Sequence, residues 1–447
     1  MMNIKYLILL GDSVLFALMM AFLPLDGPIV TGLSILVFVA ILWLTEAIHI
    51  SITALLVPIL AVIFDVFNTT QALSHFANPI IFLFLGGFAL AAALHAQGLD
   101  KAIASKVLKI ARSRLSVAVL LIFAVSALLS MWISNTATTA MMLPLVLGLL
   151  HQLDPSKEHA TYLFVLLGVA YCASIGGIAT IVGSPPNAIA AAQTGLNFIG
   201  WIKLASPLAF VLLPLAVGML YILIRPDLQH RFKIEHEPLV LTPSRIATLV
   251  IFTFTVLCWV FSGPLNSLLG DLSNFDSLVA ISAILLLAIS GVVSWKQIEK
   301  TTDWSVLLLF GGGLCLSAIL KQTGASVFLA QNIGLFLQSA STLLALLCII
   351  GFVVFLTEFS SNTASAALLI PIFAAIAESL GMSPIILSAI IAISASCAFM
   401  LPVATPPNAI VFGSGFIPQK EMMKVGIWIN LGCIAVITIY ASLAMSL

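Results

Sequence analysis

Long apolar runs separated by short polar segments make up almost the whole chain. Many of these runs reach the roughly 20 residues that an α-helix needs to cross the hydrocarbon core of a bilayer. Only helices and closed barrels satisfy all of their backbone hydrogen bonds inside lipid, so the runs predict transmembrane helices. Full spans are predicted near residues 4–25, 28–47, 51–67, 79–98, 161–195, 206–224, 246–264, 275–295, 304–320, 383–415 and 424–446.

Two further apolar stretches, 116–150 and 341–377, are each interrupted midway by the polar triplet Ser-Asn-Thr. The triplets are residues 134–136 in the first stretch and 361–363 in the second. Ser, Asn and Thr are favoured at helix N-caps. We therefore predict that each stretch turns at its triplet and forms a re-entrant hairpin, which enters and leaves the membrane on the same side.

Two of the predicted spans, 161–195 and 383–415, are too long for one crossing and contain "GSPPN" and "ATPPN". Proline removes an amide donor, and its ring clashes with the preceding helical turn. Both spans are therefore predicted to be discontinuous helices. The predicted fold is an all-α polytopic membrane protein with 11 transmembrane helices, two re-entrant hairpins and two discontinuous helices.

The basic residues support this count of spans. With the N-terminus in the cytoplasm, fifteen of the 17 Lys and Arg residues fall on the cytoplasmic side, and Lys203 and Lys321 fall outside. Such a bias is what the positive-inside rule describes. If either hairpin were a full span, everything after it would be inverted and the bias would be lost. The C-terminus is accordingly predicted on the outer side of the cell membrane.

Composition agrees with a membrane protein and narrows the function. The chain has 447 residues, of which 62% are hydrophobic and 8% charged, with a mean hydropathy of +1.22 and a formal net charge of zero. Soluble domains carry about 25% charged residues. The neutral balance gives no indication of nucleic-acid binding. The six cysteines lie in or beside apolar runs without a CxxC pair, so we expect packed, reduced thiols.

Three segments recur in the same order at a nearly constant offset. "FLGGFALAAALHAQG" resembles "LFGGGLCLSAILKQTG", the triplets lie 227 residues apart, and "GSPPNAI" from Gly183 recurs as "ATPPNAI" from Ala404. The chain thus contains two copies of one unit, roughly 28–224 and 246–447. Five spans per copy is an odd number, so the second copy must be inverted. Inverted five-helix repeats with discontinuous helices are typical of secondary transporters, which bind substrate between the repeats near the bilayer midplane.

The predicted hairpin tips indicate a site for an anion. A helix that begins at each triplet directs its free amides, with about half a positive charge of helix dipole, towards the protein centre. Two inverted hairpins bring two such tips face to face, which suits an anion with a negative group at each end. No Lys or Arg lies in the hairpins or the broken spans, so no side chain there could neutralise a buried dianion.

The spacing of hydroxyl groups indicates a cation site beside each tip. Ser130 and Thr357 each lie four residues before the serine of a triplet, which is one helical turn away on the same face. The first cage of neutral oxygens would comprise Ser130, Ser134, Asn135 and a carbonyl near Gly183. Its mirror image would comprise Thr357, Ser361, Asn362 and a carbonyl near Ala404. Neutral oxygen ligands suit a weakly held alkali cation, and co-bound cations would offset the charge of the anion.

At these residues the sequence resembles the divalent anion/sodium symporter family, the INDY-type dicarboxylate transporters of bacteria. The resemblance covers essentially the whole chain and rests on the paired triplets, the paired PPN breaks and "WLTEAIHISITALLVP" at 43–58, where His49 replaces the usual proline. It implies symport of more than one Na+ with C4-dicarboxylates such as succinate, malate and fumarate. It also implies a homodimer in the lipid of the inner membrane, working by an elevator-type motion.

The resemblance further implies the roles of individual residues. The implied sodium ligands are Ser130, Ser134, Asn135, Gly183, Thr357, Asn362 and Ala404. The implied substrate contacts are Asn135, Thr136, Ser361, Asn362, Thr363 and Pro406.

The same resemblance implies a fixed scaffold and a moving transport part. The scaffold would comprise 1–114, with a cytoplasmic amphipathic helix at 100–114, and 246–340. The transport part would comprise 115–224, with hairpin 116–150 and broken helix 161–195, and 341–447, with hairpin 341–377 and broken helix 383–415. A cytoplasmic linker at 225–245 would join the two copies.

Other functions remain open at this stage. A sodium-independent exchanger, or a carrier of citrate or sulfate, is the main alternative, although an exchanger would not need the hydroxyls at 130 and 357. An ion channel is disfavoured because no ring of charged residues marks a pore. No HExxH, GxSxG or paired membrane aspartate motif indicates an enzyme.

A carboxylate in a hairpin and two glycine patches are further features of the sequence that predict a role or a contact. Glu358 lies in a predicted hairpin, where a buried carboxylate could be a proton relay or a structural hydrogen-bonding group. The glycine patches at 86–87 and 311–313 are expected to allow close helix contact at a dimer or domain interface.

Overall fold

The computed structural model describes residues 4–99, 110–111, 113–231, 241–337, 341–379 and 382–446. Within these ranges the chain forms helices joined by short loops, without a β-strand. The predicted amphipathic helix at 100–114 lies almost entirely outside the described residues, as does the middle of the predicted linker.

The helices of the first half are α1 (Ile4–Phe22), α2 (Gly27–Thr45), α3 (Ile50–Ile63), α4 (Thr69–Ser74), α5 (Pro79–Ala96), α6 (Leu115–Ser130), α7 (Asn135–Leu150), α8 (His159–Ile178), α9 (Pro185–Thr194) and α10 (Phe198–Ile224). Those of the second half are α11 (Pro243–Val260), α12 (Ser262–Leu268), α13 (Phe275–Ile289), α14 (Trp295–Thr301), α15 (Trp304–Gln322), α16 (Ala325–Leu337), α17 (Thr342–Phe359), α18 (Asn362–Ser379), α19 (Pro384–Ala395), α20 (Pro406–Phe412) and α21 (Gln419–Ser446).

All four predicted interruptions are confirmed. The first hairpin is α6 and α7, which are separated at residues 131–134, and the second is α17 and α18. The broken spans are α8 with α9 and α19 with α20, and in both the second segment restarts at the first proline of a PPN motif. Proline is suited to this place because the first amide of a helix has no partner to lose.

Nine helical segments of the described residues are long and apolar enough to cross a membrane. Eight of them lie in predicted spans, whereas the ninth is α17, the first arm of the predicted second hairpin. The predicted span 383–415 divides into α19 and α20, with 12 and 7 residues. The helices α3 and α13 have 14 and 15 residues, about 21–23 Å, which is shorter than the ~30 Å hydrocarbon core. Each ends just before a residue with positive φ, Asp65 at 57° and Gly291 at 69°. The count of eleven crossings stays a prediction.

Burial separates the centre of the molecule from its edge. Every residue of α8 from Thr161 to Ile178 is buried, whereas only 6% of α1 is buried. A peripheral α1 agrees with the expectation that the first span lies outside the two repeats.

The inverted repeat is visible in how the helices pack. A Cβ added to Gly86 of α5 would lie 2.6 Å from the Cβ of Ala280 in α13. A Cβ added to Gly312 of α15 would lie 2.8 Å from the Cβ of Ala54 in α3. The two glycines are 226 residues apart, and so are the two alanines. Each repeat therefore places its glycine against the other repeat's alanine, and small residues allow the backbones to approach closely.

Neighbouring glycines meet the hairpins and broken helices. A Cβ on Gly87 would meet Val182, in the loop between α8 and α9, and one on Gly313 would lie 3.3 Å from Ala367 of α18. These contacts join the predicted scaffold to the predicted transport part. The expectation that the glycine patches permit close helix contact is confirmed for these positions.

We expect Gly86→Ala and Gly312→Ala to destabilise the protein to a similar extent. Each added methyl would overlap an alanine and its backbone, and overpacking of this kind costs about 1–3 kcal/mol. Thermal unfolding in detergent, followed by tryptophan fluorescence, measures the effect. Gly218→Ala in α10 is the control, because its Cβ would meet nothing within 4 Å. A large loss in one glycine variant and none in the other would contradict the symmetric packing.

Candidate functional site

Both triplets and both PPN breaks line a single cavity of about 900 Å³. The two hairpin tips, predicted to come face to face, meet across this space. From the first copy the lining includes Ser134, Asn135, Thr136, Gly183 and Pro185, and from the second Ser361, Asn362, Thr363, Ala404 and Pro406. All six residues expected to contact substrate are therefore brought together.

The sequence of each tip accounts for its turn. Ser134 precedes α7, and its side chain accepts a hydrogen bond from the Ala137 amide at 3.3 Å. The carbonyl of Ser361 begins α18 by accepting from the Ser365 amide at 2.8 Å. The first amides of a helix have no partner within it. Since α7 and α18 begin at residues that line the cavity, both helix N-termini lie at its wall.

Behind the first tip, oxygen atoms are gathered around Asn135. Its side-chain amide lies 2.5 Å from the Oγ of Ser130, and 3.1 Å from the carbonyl oxygens of Ala173 and Gly183. With its nitrogen turned towards them, the amide donates hydrogen bonds to these groups. With its oxygen turned towards them, four oxygens face one another, an arrangement that a bound cation would stabilise. Ser134 caps α7 at the edge of this group.

The second tip repeats the arrangement. The Oγ1 of Thr357 lies 2.6 Å from the Oδ1 of Asn362 and 3.0 Å from the carbonyl oxygen of Ala395. One hydroxyl has a single proton, so it can donate to only one of these acceptors at a time. With the Oδ1 of Asn362 turned towards the hydroxyl, one of the two acceptors has no donor in this group. With the Nδ2 turned there instead, the hydroxyl would accept from the amide and donate to Ala395. Ala404, the counterpart of Gly183, lines the cavity.

Ser130 and Thr357 lie behind the cavity wall. Both are fully buried, and each reaches the cavity through the asparagine that it contacts. The four-residue spacing predicted them on the same face as the following serine, in cages that also included Asn135 and Asn362. Their observed partners are these two asparagines, five residues further along.

Glycine is required where the broken helix approaches the first tip. A Cβ on Gly177 would overlap the Oδ1 of Asn135 and would lie 2.9 Å from the carbonyl oxygen of Gly183. A Cβ on Gly183 would lie 2.5 Å from the carbonyl oxygen of Gly177 and 2.8 Å from that of Ser130. No larger residue would fit at either position without moving backbone.

The asparagine of each PPN motif has a role that the sequence pattern did not predict. The Nδ2 of Asn187 donates to the carbonyls of Gly177 at 2.8 Å and Thr180 at 2.7 Å. The Nδ2 of Asn408 donates to Ala398 and Leu401, both at 3.0 Å. These side chains satisfy carbonyls that lose their helical partners at the break, as buried backbone groups require. The repeated "PPNAI" was a signal that could have drawn attention to them.

Glu358 holds the second helix break. Its Oε1 accepts from the amides of Phe399 at 2.7 Å and Met400 at 2.9 Å, and its Oε2 accepts from that of Leu401 at 3.0 Å. The Nδ2 of Asn430 donates to Oε1 at 2.6 Å. Of the two roles considered for Glu358, the structural one agrees with these four hydrogen bonds.

The electrostatics of the cavity match the sequence expectation. Among the described residues that line it, none is Lys, Arg or His, while Glu46 and Asp303 contribute carboxylates. The positive potential available to an anion therefore comes from helix N-termini: those of α7 and α18 at the tips, and those of α9 and α20 at the breaks, whose first two residues are prolines without an amide donor. Any greater positive charge would have to arrive with a bound cation.

The repeats, the broken helices and the shared polar cavity define the class of protein as a secondary transporter. Similarity to known proteins supports this class and shows the family. A profile described as citrate transporter (CitMHS) matches residues 40–386. The chain belongs to this citrate transporter family.

Relatives of this chain are also described as transporters. An uncharacterized transporter of Haemophilus influenzae is 54% identical over 96% of this chain and 95% of its own length. The sodium-dependent dicarboxylate transporter SdcS of Staphylococcus saprophyticus is 33% identical over 97% of this chain and 89% of its own length. This homology is consistent with the divalent anion/sodium symporter resemblance and supports a transporter rather than an enzyme.

Solved structures of membrane transporters share the fold. The YdaH transporter of Alcanivorax borkumensis aligns with a TM-score of 0.58 and 13% identity, covering 84% of this chain and 87% of its own. MtrF of Neisseria gonorrhoeae, from a class of antimetabolite efflux pumps, aligns with a TM-score of 0.58 and 14% identity, covering 96% and 97%. At these identities the likeness concerns the fold alone.

We expect Glu358→Ala to lower the free energy of unfolding by more than about 3 kcal/mol, because several buried donors would lose their acceptor and each costs about 1–3 kcal/mol. Glu358→Gln should lie between Ala and the parent. Thermal unfolding in detergent measures both. The control is Glu421→Gln, an exposed residue 3.5 Å from His159, where a change below about 0.5 kcal/mol is expected. A Glu358→Gln variant with unchanged stability but altered proton dependence of transport would favour the relay role instead.

Proposed function

We propose that this protein imports C4-dicarboxylates such as succinate, malate and fumarate, together with sodium ions. The observation that carries the proposal is the pair of mirrored oxygen clusters, one behind each hairpin tip, on either side of a cavity whose described lining residues include no basic side chain. The homology to sodium-dependent dicarboxylate transporters supports the same substrates.

The cavity suits a dianion only if cations accompany it. An uncompensated charge in the middle of a bilayer costs from about 3 to more than 10 kcal/mol. The N-termini of α7 and α18, each worth about half a charge, offset only part of a double negative charge. Those of α9 and α20 begin with two prolines each, which have no amide to donate. Cations bound beside the tips would supply the remainder, so anion and cations would bind well only together.

The proposed sodium ligands are neutral oxygen groups. One site would use Ser130, Ser134, Asn135 and the Gly183 carbonyl. The other would use Thr357, Asn362 and the Ala404 carbonyl. Neutral oxygens favour a monovalent cation, since divalent ions usually recruit carboxylates. With its oxygen turned inwards, the Asn135 amide, 3.1 Å from the Gly183 carbonyl oxygen, would complete the first set.

The proposed substrate contacts are the residues at the two tips and one break: Asn135, Thr136, Ser361, Asn362, Thr363 and Pro406. Each carboxylate of the substrate would take amide and hydroxyl donors from one tip. Asn135 and Asn362 would serve both ligands, with the side chain turned to sodium and the backbone amide to substrate. This sharing gives a direct physical link between cation and anion binding.

An elevator-type motion is proposed for alternating access. The wall of the cavity opposite the tips includes Thr45, Glu46, Thr301 and Asp303, which lie at the end of the scaffold that the charge bias assigns to the cytoplasm. This conformation would therefore be open inwards. The transport part, 115–224 with 341–447, would slide against the scaffold along small residues such as Gly87 and Gly313. A homodimer in the inner membrane, with the N-terminus in the cytoplasm, completes the proposal.

Citrate is the second candidate substrate. The family profile that matches the chain is that of citrate transporters, and a cavity of about 900 Å³ has room for a third carboxylate. The same oxygen clusters would then balance a larger negative charge.

Uptake into proteoliposomes tests the proposal. We expect labelled succinate to accumulate under an inward sodium gradient but not under a potassium gradient, with lithium as a third arm. Asn135→Ala and Asn362→Ala should reduce uptake to the level of empty liposomes, because each removes a shared contact. Competition by unlabelled citrate distinguishes the two candidate substrates. Equal uptake in sodium and potassium would reject the coupling, and full activity of both variants would reject the site.

A matched pair of serines tests the first sodium site. Ser130→Ala should raise the sodium concentration for half-maximal uptake by about tenfold, the effect of losing roughly 1.4 kcal/mol. Ser126→Ala is the control, because Ser126 is equally buried one turn earlier and bonds only to the Ile122 carbonyl, at 2.8 Å. A similar shift in both variants would show that the effect is not specific to the site.

A further inference from the structure

Three metal-ligating side chains converge away from the transport cavity. Glu158 directly precedes α8, while Asp227 and His230 lie in the segment that follows α10. One ligand atom from each residue lies within 4.8 Å of the other two. The cluster joins the start of the central helix to the segment leading into the second repeat.

The distances fit ligands arranged around one ion. The Nε2 of His230 lies 3.0 Å from the Oε1 of Glu158 and 3.7 Å from the Oδ2 of Asp227. Zinc binds imidazole nitrogen and carboxylate oxygen at about 2.0–2.2 Å, which separates neighbouring ligand atoms by about 3–3.6 Å. An ion between the three side chains would need only small adjustments of the exposed Asp227.

A simple ion pair does not explain the position of the histidine. Its Nε2 is buried and makes no hydrogen bond of acceptable geometry, although Glu158 is only 3.0 Å away. A ring N–H in an ion pair would point at the carboxylate. The charge balance also argues against a simple ion pair, because two carboxylates carry more negative charge than a protonated His230 could neutralise. A divalent ion with a neutral imidazole balances both.

Surrounding contacts already orient the ligands. The Oγ1 of Thr161 lies 3.0 Å from the Oε2 of Glu158 and 3.1 Å from the carbonyl oxygen of Asp227. The carbonyl of His230 accepts from the Leu115 amide at 3.1 Å. Such outer contacts are typical of metal sites, where they fix the orientation of the ligands. The side chain of Glu158 is 18% exposed and that of Asp227 57%, so ion and water can enter.

We propose that Glu158, Asp227 and His230 form a binding site for a divalent transition metal ion, with zinc the best fit. Three protein ligands leave a fourth position for water, as in open zinc sites. Bound zinc fastens the segment after α10 to the start of α8 and to the first hairpin at Leu115. If the elevator function holds, this segment links moving and fixed parts, so zinc slows transport from this face.

Metal titration of the full-length protein, purified without a polyhistidine tag and stripped with chelator, tests the site. We expect one zinc ion per chain, and cobalt(II) should give the visible absorption of a low-coordinate nitrogen and oxygen site. His230→Gln and Asp227→Asn should each weaken zinc binding by at least about tenfold. His159→Gln is the matched control, since that neighbouring histidine pairs with Glu421 instead. Thermal unfolding verifies that each variant is folded.

Equal zinc affinity in the parent, His230→Gln and Asp227→Asn would overturn the site, as would the absence of zinc binding in the parent. Binding is measured without substrate, so its outcome does not depend on the transport proposal. A second arm measures uptake with zinc on each side of the liposome. Inhibition that is lost in Asp227→Asn supports the regulatory role, whereas binding without any effect on uptake retains the site and rejects the regulation.

Discussion

Two helices that stop and restart inside the protein core impose the constraint on which the rest of the structure depends. At each break, amides and carbonyls lose their helical partners, and every unsatisfied buried group costs about 1–3 kcal/mol. Asn187 and Asn408 satisfy carbonyls at the two breaks, and Glu358 satisfies three amides at the second. Because these partners hold the loops in place, Gly183 and Ala404 remain at the wall of the cavity.

The two copies meet this constraint with different residues. In the second copy Glu358 accepts hydrogen bonds from backbone amides. The first copy has Met131 at the equivalent position, 227 residues earlier, and a methionine cannot replace this carboxylate. In the first copy Trp201 and Ser206 of α10 donate instead to the carbonyls of Ile178 at 3.0 Å and Ala179 at 2.9 Å. The two tips have the same residue types, whereas the side chains that hydrogen-bond the backbone at the two breaks differ. This difference is expected if the tips must match a ligand and the supports need only satisfy the backbone.

Sequence predicted the parts of the site whose chemistry is local. The triplets and PPN motifs predict the starts of helices to within a few residues. Because both motifs occur twice, they also predict the inverted repeat. It could not predict that Ala173 and Ala395 supply carbonyls to the clusters, because every residue has a carbonyl and no side chain marks these two. Contacts over long separations, such as Gly86 with Ala280 or Glu158 with His230, likewise depend on the packing of whole helices. The ends of α3 and α13 were missed because positive φ at Asp65 and Gly291 stops the helices while the apolar pattern continues.

Charge balance connects the oxygen clusters with the cavity between them. When the side-chain oxygen of Asn135 or Asn362 faces its cluster, acceptors outnumber donors there without a cation, as the single hydroxyl proton of Thr357 illustrates between Asn362 and Ala395. The cavity, without a cation, offers an anion only the partial charges of helix N-termini, and the two at the breaks begin with prolines that have no amide to donate. In that orientation of the amides, one positive ion at each proposed cation site would offset both the excess of acceptors and the missing charge. Coupling of the proposed ligands therefore needs no long-range conformational signal, because Asn135 and Asn362 belong to a cluster and to the cavity wall at once.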